Sequence, residues 1–254
     1  MTVSLVTRLA MVFALGTCSS CAVRKVTVGV DNARFQHGYL NSKLLGSGAL
    51  LLWDMNASTD RALTLAPGPD VTNNETVRHA GGRELVSMAS SGVTLNGAGA
   101  AQGIPVEARA EIARQTAIVV RNFSSVRFRD PAFVLNEEDF AEERKKLGAQ
   151  YADQARSRFI LISGITLADD VNISIGSPGE KGNTFTLSIA GKEYQLSYRG
   201  LRSSAWTGSQ EPVFIQPRVY KLVSVPEGAT GYRFEEDRTI QFDLTSMLTD
   251  ASTF

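Results

Sequence analysis

Between Asn136 and Ile165 the hydrophobic period changes once, and that change constrains the fold more than any other feature of the chain. Phe140, Arg144, Leu147, Tyr151 and Ala155 recur at spacings of four, three, four and four, which places them on one stripe of a helix running from Asn136 to Ser157. Asn136 can cap its start, Glu137, Glu138 and Asp139 crowd its positive end, and Arg156 and Arg158 fall at its negative end. The heads of Arg144 and Tyr151 are expected at the rim of the stripe, reaching water, with Glu142 and Lys146 as an outward pair one turn apart. Phe159-Ile-Leu-Ile-Ser-Gly-Ile165 then runs apolar almost without a break, as a central strand does. An amphipathic helix that feeds directly into a buried strand requires a helix layer on a sheet.

The remaining patterns are mostly of period two. Val26, Val28 and Val30 alternate with Lys25, Thr27 and Gly29, Ala49 to Trp53 is a short buried strand, and Arg61 to Ala66 alternates before the turn Pro67-Gly-Pro69. Thr72-Asn-Asn-Glu75 has the form of a capping box and predicts a helix start. Pro105 followed by Val106 to Gln115 predicts a second helix, because proline at the first turn gives up an amide that has no partner there. Ala117 to Val120 fits either an extension of that helix or a strand, and Phe123 to Arg129 alternates, with Val126 and Phe128 opposite Arg127 and Arg129. Thr184 to Tyr198 is a hairpin around Ala190-Gly-Lys192. Leu201 to Glu211, with Trp206, reads as a loop, and Val213 to Ile215, Val219 to Val225 and Thr239 to Leu244 as strands separated by Pro217, Pro226-Glu-Gly228 and Glu235-Glu-Asp237. The expectation is an α+β fold, mainly antiparallel sheet with two or three packed helices and a mostly β C-terminal part. Residues 23–70 form a small β-rich segment and 71–254 the α+β body, within one domain or two.

The N-terminus sets the compartment. Arg8 precedes the apolar run Leu9 to Leu15, the order found in secretory signals, and the run is well short of the ~20 residues a spanning helix needs. The stretches Leu15-Gly-Thr-Cys18 and Cys18-Ser-Ser-Cys21 follow, and here the segment resembles the lipobox of bacterial lipoproteins, a Leu-small-small-Cys pattern. The resemblance covers the first 21 residues only. It implies that Cys18, or alternatively Cys21, receives a lipid and becomes the first residue of the mature chain. Cys18 has Leu15 in place but Thr17 where Gly, Ala or Ser is usual; Cys21 has Ser19 and Ser20 but Cys18 in the apolar position. An ordinary signal cut after Ala22 is the alternative. The implied location is the bacterial cell envelope, held to a membrane by the N-terminal lipid, or else secreted and soluble. These are the only two cysteines, so the body has no disulfide framework.

Function is less marked. Twenty-six basic residues balance 26 acidic ones, leaving no overall field to attract nucleic acid. His37 and His79 sit among polar neighbours and read as solvated. Asp169-Asp170 with Asn172 offers oxygen ligands but lacks the glycine-spaced loop of a calcium site, and reads as a solvated turn. The uncharged, glycine-rich run Ser90 to Gly103 admits a nucleotide-binding turn, a hinge or membrane-seeking segment, or a surface loop. No catalytic residue, metal ligand set or cofactor is expected. The reading is a binding, scaffold or assembly module whose partners are the membrane, through the lipid, and another envelope protein or a ligand. It predicts an exposed apolar or aromatic patch that could include Trp53, Trp206 or Tyr198. The alternatives are an envelope hydrolase with converging acidic residues and a pore-former using residues 90–103.

Overall fold

The computed structural model describes residues 24–30, 33–41, 45–55, 62–71, 74–79, 84–91, 93–96, 106–175, 184–189, 192–199, 205–225, 231–241, 243, 244 and 247. Residues 1–23 with Cys18 and Cys21, the glycine-rich residues 97–103 and residues 176–182 lie outside them. In chain order the strands and helices are β1 (Arg24–Gly29), β2 (Arg34–Phe35), β3 (Gly38–Leu40), β4 (Leu50–Asp54), β5 (Ala62–Ala66), β6 (Glu75–His79), β7 (Glu84–Ser91), β8 (Thr94–Asn96) and α1 (Val106–Gln115). They continue with β9 (Thr116–Arg121), β10 (Ser124–Phe128), α2 (Pro131–Asn136), α3 (Ala141–Tyr151), β11 (Ser157–Ile175), β12 (Thr184–Ile189), β13 (Lys192–Arg199), β14 (Ala205–Ser224) and β15 (Tyr232–Glu236). The fold is α+β, mostly antiparallel sheet.

Its spine is the antiparallel pair β11 and β14, 19 and 20 residues long. Phe159, Ile160, Leu161 and Ile162 are all fully buried, because this part of β11 has a layer on each face. Alternation sorts the side chains. Phe159, Leu161, Tyr220, Leu222, Phe234 and Leu50 share a core with Val134, Leu135, Phe140 and Leu147 of the helical segment. Ile160, Ile162, Val219, Leu51, Trp53 and Leu63 form the opposite core with Leu244 and Met247. One residue of slip would exchange the two sets, so burial on both faces holds the register.

Along one edge of β11, β4, β10 and β9 follow one another. At the end away from α2 and α3, hydrogen bonds run β14–β3–β2–β7–β9–β11 and back to β14, a closed circuit of six strands. Closure leaves those strands no open edge and encloses a third core of Phe35, Leu40, Ile118, Val120, Val171, Ile173 and Phe214, plugged by Ile112 of α1. Val28 and Val30 enter the same core and tie in the second sheet, ordered β12-β13-β1-β8, in which β1 and β13 run parallel.

Several local expectations hold: α1, the buried strands at 50–54 and 157–165, and the hairpin of β12 and β13. Ala117 to Val120 is strand, within β9. Others are overturned by tertiary partners. The helix read from Asn136 to Ser157 is three pieces, because Asp130 caps α2 earlier, its Oδ1 accepting from the amides of Ala132 and Phe133, and Glu137 is extended at ψ 156°. A 3-10 turn, Glu138–Phe140, restarts the chain into α3. Asn136 ends α2 rather than capping a helix; its side chain donates to the Phe234 carbonyl and accepts from the Phe234 amide, occupying the edge of β15. Arg144 is buried rather than at a rim, and Lys146 bonds Glu143 rather than Glu142.

Glu75 opens strand β6 instead of a helix, since pairing with β10 sets Val77 across from buried Val126. Leu201 to Glu211 is not all loop: Ala205 to Glu211 belongs to β14, which also runs through Pro217, tolerated beside a register shift at Ile162/Gly164. Glu235 and Glu236 lie in β15. The strand read at Thr239 to Leu244 does not form among the described residues, because Asp237 turns the chain by accepting from the Thr239 amide and hydroxyl.

Candidate functional site

The residues with unused chemistry lie on the ribbon of β6 and β10. Alternation sends Ser124, Val126 and Phe128 inward and leaves Ser125, Arg127 and Arg129 on the other face. The register sets Arg78 across from Ser125 and Thr76 across from Arg127. Each arginine thus faces a hydroxyl, which avoids the destabilising arrangement of like charges directly opposite. The Arg129 Nε donates to the Thr76 hydroxyl at 3.3 Å. Arg127 lies against Gly164 of β11: a Cβ there would come within 3.2 Å of its Cγ and 3.1 Å of the Gln216 Oε1, so the bare backbone is what gives the arginine stem room.

These side chains line a cavity of about 530 Å³ together with Phe123, half-buried against the barrel core, and Phe128. No carboxylate of the described residues lines it. Other arginines are paired: Arg158 with Asp237 at 2.7 Å, Arg218 with Glu236 at 3.2 Å, Arg238 with Glu236 at 2.7 Å, Arg121 with Asp170 at 3.6 Å and Arg233 with Glu235. No carboxylate of the described residues pairs with Arg78, Arg127 or Arg129. Cations gathered without counter-charge around a concave surface form a site for an anion.

His37 borders this site and is not the solvated histidine expected. Its amide donates to the Ser87 hydroxyl, its carbonyl accepts from the Gln216 side chain, and its ring lies 6.5 Å from that of Phe214. The Nδ1 is buried without a partner. Burial first, and then the charge of Arg127, push its pKa below the ordinary 6.5, so the ring is neutral at pH 7. His79 lies in β6, with its side chain outside the description.

The other sequence candidates disperse. Asp169 and Asp170 lie within β11 rather than in a turn, where β14 bulges around them. Asp169 accepts from the Gln210 amide and side chain at 2.8 and 3.0 Å, donors that hold its carboxyl below the usual range. No three His, Cys, Asp or Glu residues gather among the described residues. Trp53 is buried in the core and cannot belong to a surface patch; the side chains of Trp206 and Tyr198 lie outside the description. Leu65, Val77, Val86, Val106 and Phe133, the exposed large apolar residues among those described, come from five different elements. A second cavity, of about 620 Å³ near Arg34, Tyr39 and Ile240, includes Asp243 and is therefore mixed in charge.

Arg127 and Arg129 were visible in the sequence as the outward half of an alternation. Arg78 was hidden, because its strand read as the start of a helix. No protein-family model matches the chain, and no curated protein is significantly similar to it.

Proposed function

We propose that this chain is an exported, lipid-anchored binding module of the bacterial cell envelope, and that the groove on the open face of the β6–β10 ribbon captures an anionic ligand. The observation that carries the binding reading is the trio Arg78, Arg127 and Arg129 around a cavity with no carboxylate of the described residues in its lining. Arginine presents its donors in a rigid fork matched to oxyanions, so three of them without a carboxylate partner among the described residues favour a charged ligand over a neutral one. The export reading rests on Arg8, the apolar run Leu9 to Leu15 and the cysteines that follow, with the lipid on Cys18 or alternatively Cys21.

Calorimetric titration of the full chain with phosphate, sulfate and citrate at low salt tests the binding reading. At least one should bind, and the heat should vanish in a folded Arg78→Ala/Arg127→Ala double variant. A wild-type protein that takes none of the three, or a variant that binds as well, would sink it. The anchor is tested by the intact mass of protein purified from host membranes: a lipid-sized increment should disappear in Cys18→Ser or Cys21→Ser, and an unmodified chain starting near Val23 would exclude the lipid.

A further inference from the structure

Resting on the anion-binding reading, we propose that the group held in the groove is a phosphoryl headgroup, a phosphomonoester whose terminal oxygens take the forks of Arg78, Arg127 and Arg129 while its apolar body lies against Phe123. The argument is a match of donors to acceptors. A carboxylate has two oxygens and one edge between them, so it accepts one guanidinium fork in bidentate fashion. A phosphomonoester has three terminal oxygens, hence three such edges, and carries a charge between one and two at neutral pH.

The β6–β10 register sets three cations at that density. Arg127 and Arg129 stand two residues apart on one strand, ~7 Å between Cα atoms, and Arg78 is diagonal to Arg127 at ~7–8 Å, spans that arginine arms close easily. The Nε of Arg129 is already engaged with Thr76, which leaves the terminal nitrogens of that fork for a ligand and holds its stem across the ribbon. The Ser125 hydroxyl, across from Arg78 and next to Arg127 on the same face, adds a donor or acceptor for a protonated oxygen. Phe123 supplies a half-exposed apolar wall among the described lining residues, and the cavity of about 530 Å³ has room for a headgroup with a ring-sized body. Such a group can come from a phospholipid or from a soluble phosphomonoester; the chemistry recognised is the same.

The test is calorimetry on the full chain with phenyl phosphate, benzoate and inorganic phosphate as probes. Phenyl phosphate should bind at least about tenfold tighter than benzoate, and Arg78→Ala and Arg127→Ala should each weaken it about tenfold or more, the scale of a hydrogen bond to a charged group. Arg127→Lys, which keeps the charge and the fold but loses the fork, should remain weak for phenyl phosphate. Phe123→Ala should weaken phenyl phosphate and leave inorganic phosphate unchanged. Benzoate binding as tightly as phenyl phosphate, with both dependent on the arginines, would overturn the phosphoryl assignment and leave the anion site standing. Absence of binding by all three probes would overturn both. Sedimentation of the protein with phosphatidate-containing vesicles but not with phosphatidylcholine vesicles, reversed by phenyl phosphate, supports the phosphoryl assignment with a lipid as its source. Binding of phenyl phosphate without such sedimentation supports it with a soluble ester.

Discussion

Arg144, under the helices, and Arg127, in the groove, carry the same guanidinium into opposite surroundings. Arg144 is 2% exposed, and its head donates to the carbonyls of Tyr232, Leu135 and Glu137, joining α2, the 3-10 turn and β15 at one point. Arg127 is exposed, rests its stem on Gly164, and has no carboxylate partner among the described residues. The difference lies in what the backbone around each leaves unpaired. Where helix ends present orphan carbonyls, a buried arginine satisfies them and holds the fold. Where paired strands have already satisfied their own backbone, an arginine on the open face keeps its donors for something else.

Substitutions can break that contrast in order of effect. Arg144→Ala should be the most damaging, about 4 kcal/mol in denaturant unfolding, because three carbonyls lose a charged donor and a buried volume empties. Next is Asp237→Ala, about 3 kcal/mol, which strands the largely buried Arg158 partnered to it at 2.7 Å. Burial raises the Asp237 carboxyl, but donors from Thr239 and Arg158 outweigh it and hold the pKa below the ordinary 3.8. Its stabilisation is therefore complete above 3.8 and lost as pH falls through the lower folded value, so acid unfolding of wild type should steepen there and flatten in Asp237→Asn. Gly148→Ala follows at about 2 kcal/mol, since the new Cβ would run into the Tyr232 ring unless α3 shifts.

The groove should respond differently. His37, kept neutral by burial and by Arg127, favours folding above pH 6.5, a contribution that declines as pH falls from 6.5 through its lower folded pKa. Melting temperature measured from pH 7.5 to pH 5 should fall less in His37→Gln than in wild type. Arg127→Ala should change stability least, within about 0.5 kcal/mol, while weakening the salt-sensitive anion binding about tenfold or more. A large loss of stability in Arg127→Ala would show that this arginine, like Arg144, is part of the fold, and would erase the contrast.

The legible parts of the chain are those whose partners are local or whose burial is two-sided. Val106 to Gln115, Thr184 to Tyr198, Leu50 to Trp53 and Phe159 to Ile165 show their state in their own spacing. Strand β6 was not legible, because Thr72 to Glu75 offers a cap and nothing nearby says that β10 will claim it. Nor was β14, whose Pro217 reads as a stop until a register shift in β11 accommodates it. Half of the groove was readable, as the alternation of Arg127 and Arg129 with Val126 and Phe128; Arg78 and the seat of the Arg127 stem on Gly164 were not.

By itself the sequence determined period and polarity: that Val106 to Gln115 coils, that Leu50 to Trp53 and Phe159 to Ile165 extend, which side of such segments is apolar, and the apolar run Leu9 to Leu15 with two cysteines after it. Those follow from backbone geometry and from the free energy of removing apolar surface from water, both of which act over a few residues. Only the tertiary structure decided which strands meet and in what register, and therefore that Arg78, Arg127 and Arg129 share one face while Arg144 is enclosed. Register depends on partners far away in the chain, chosen by the packing of both faces at once, and no local pattern contains that information.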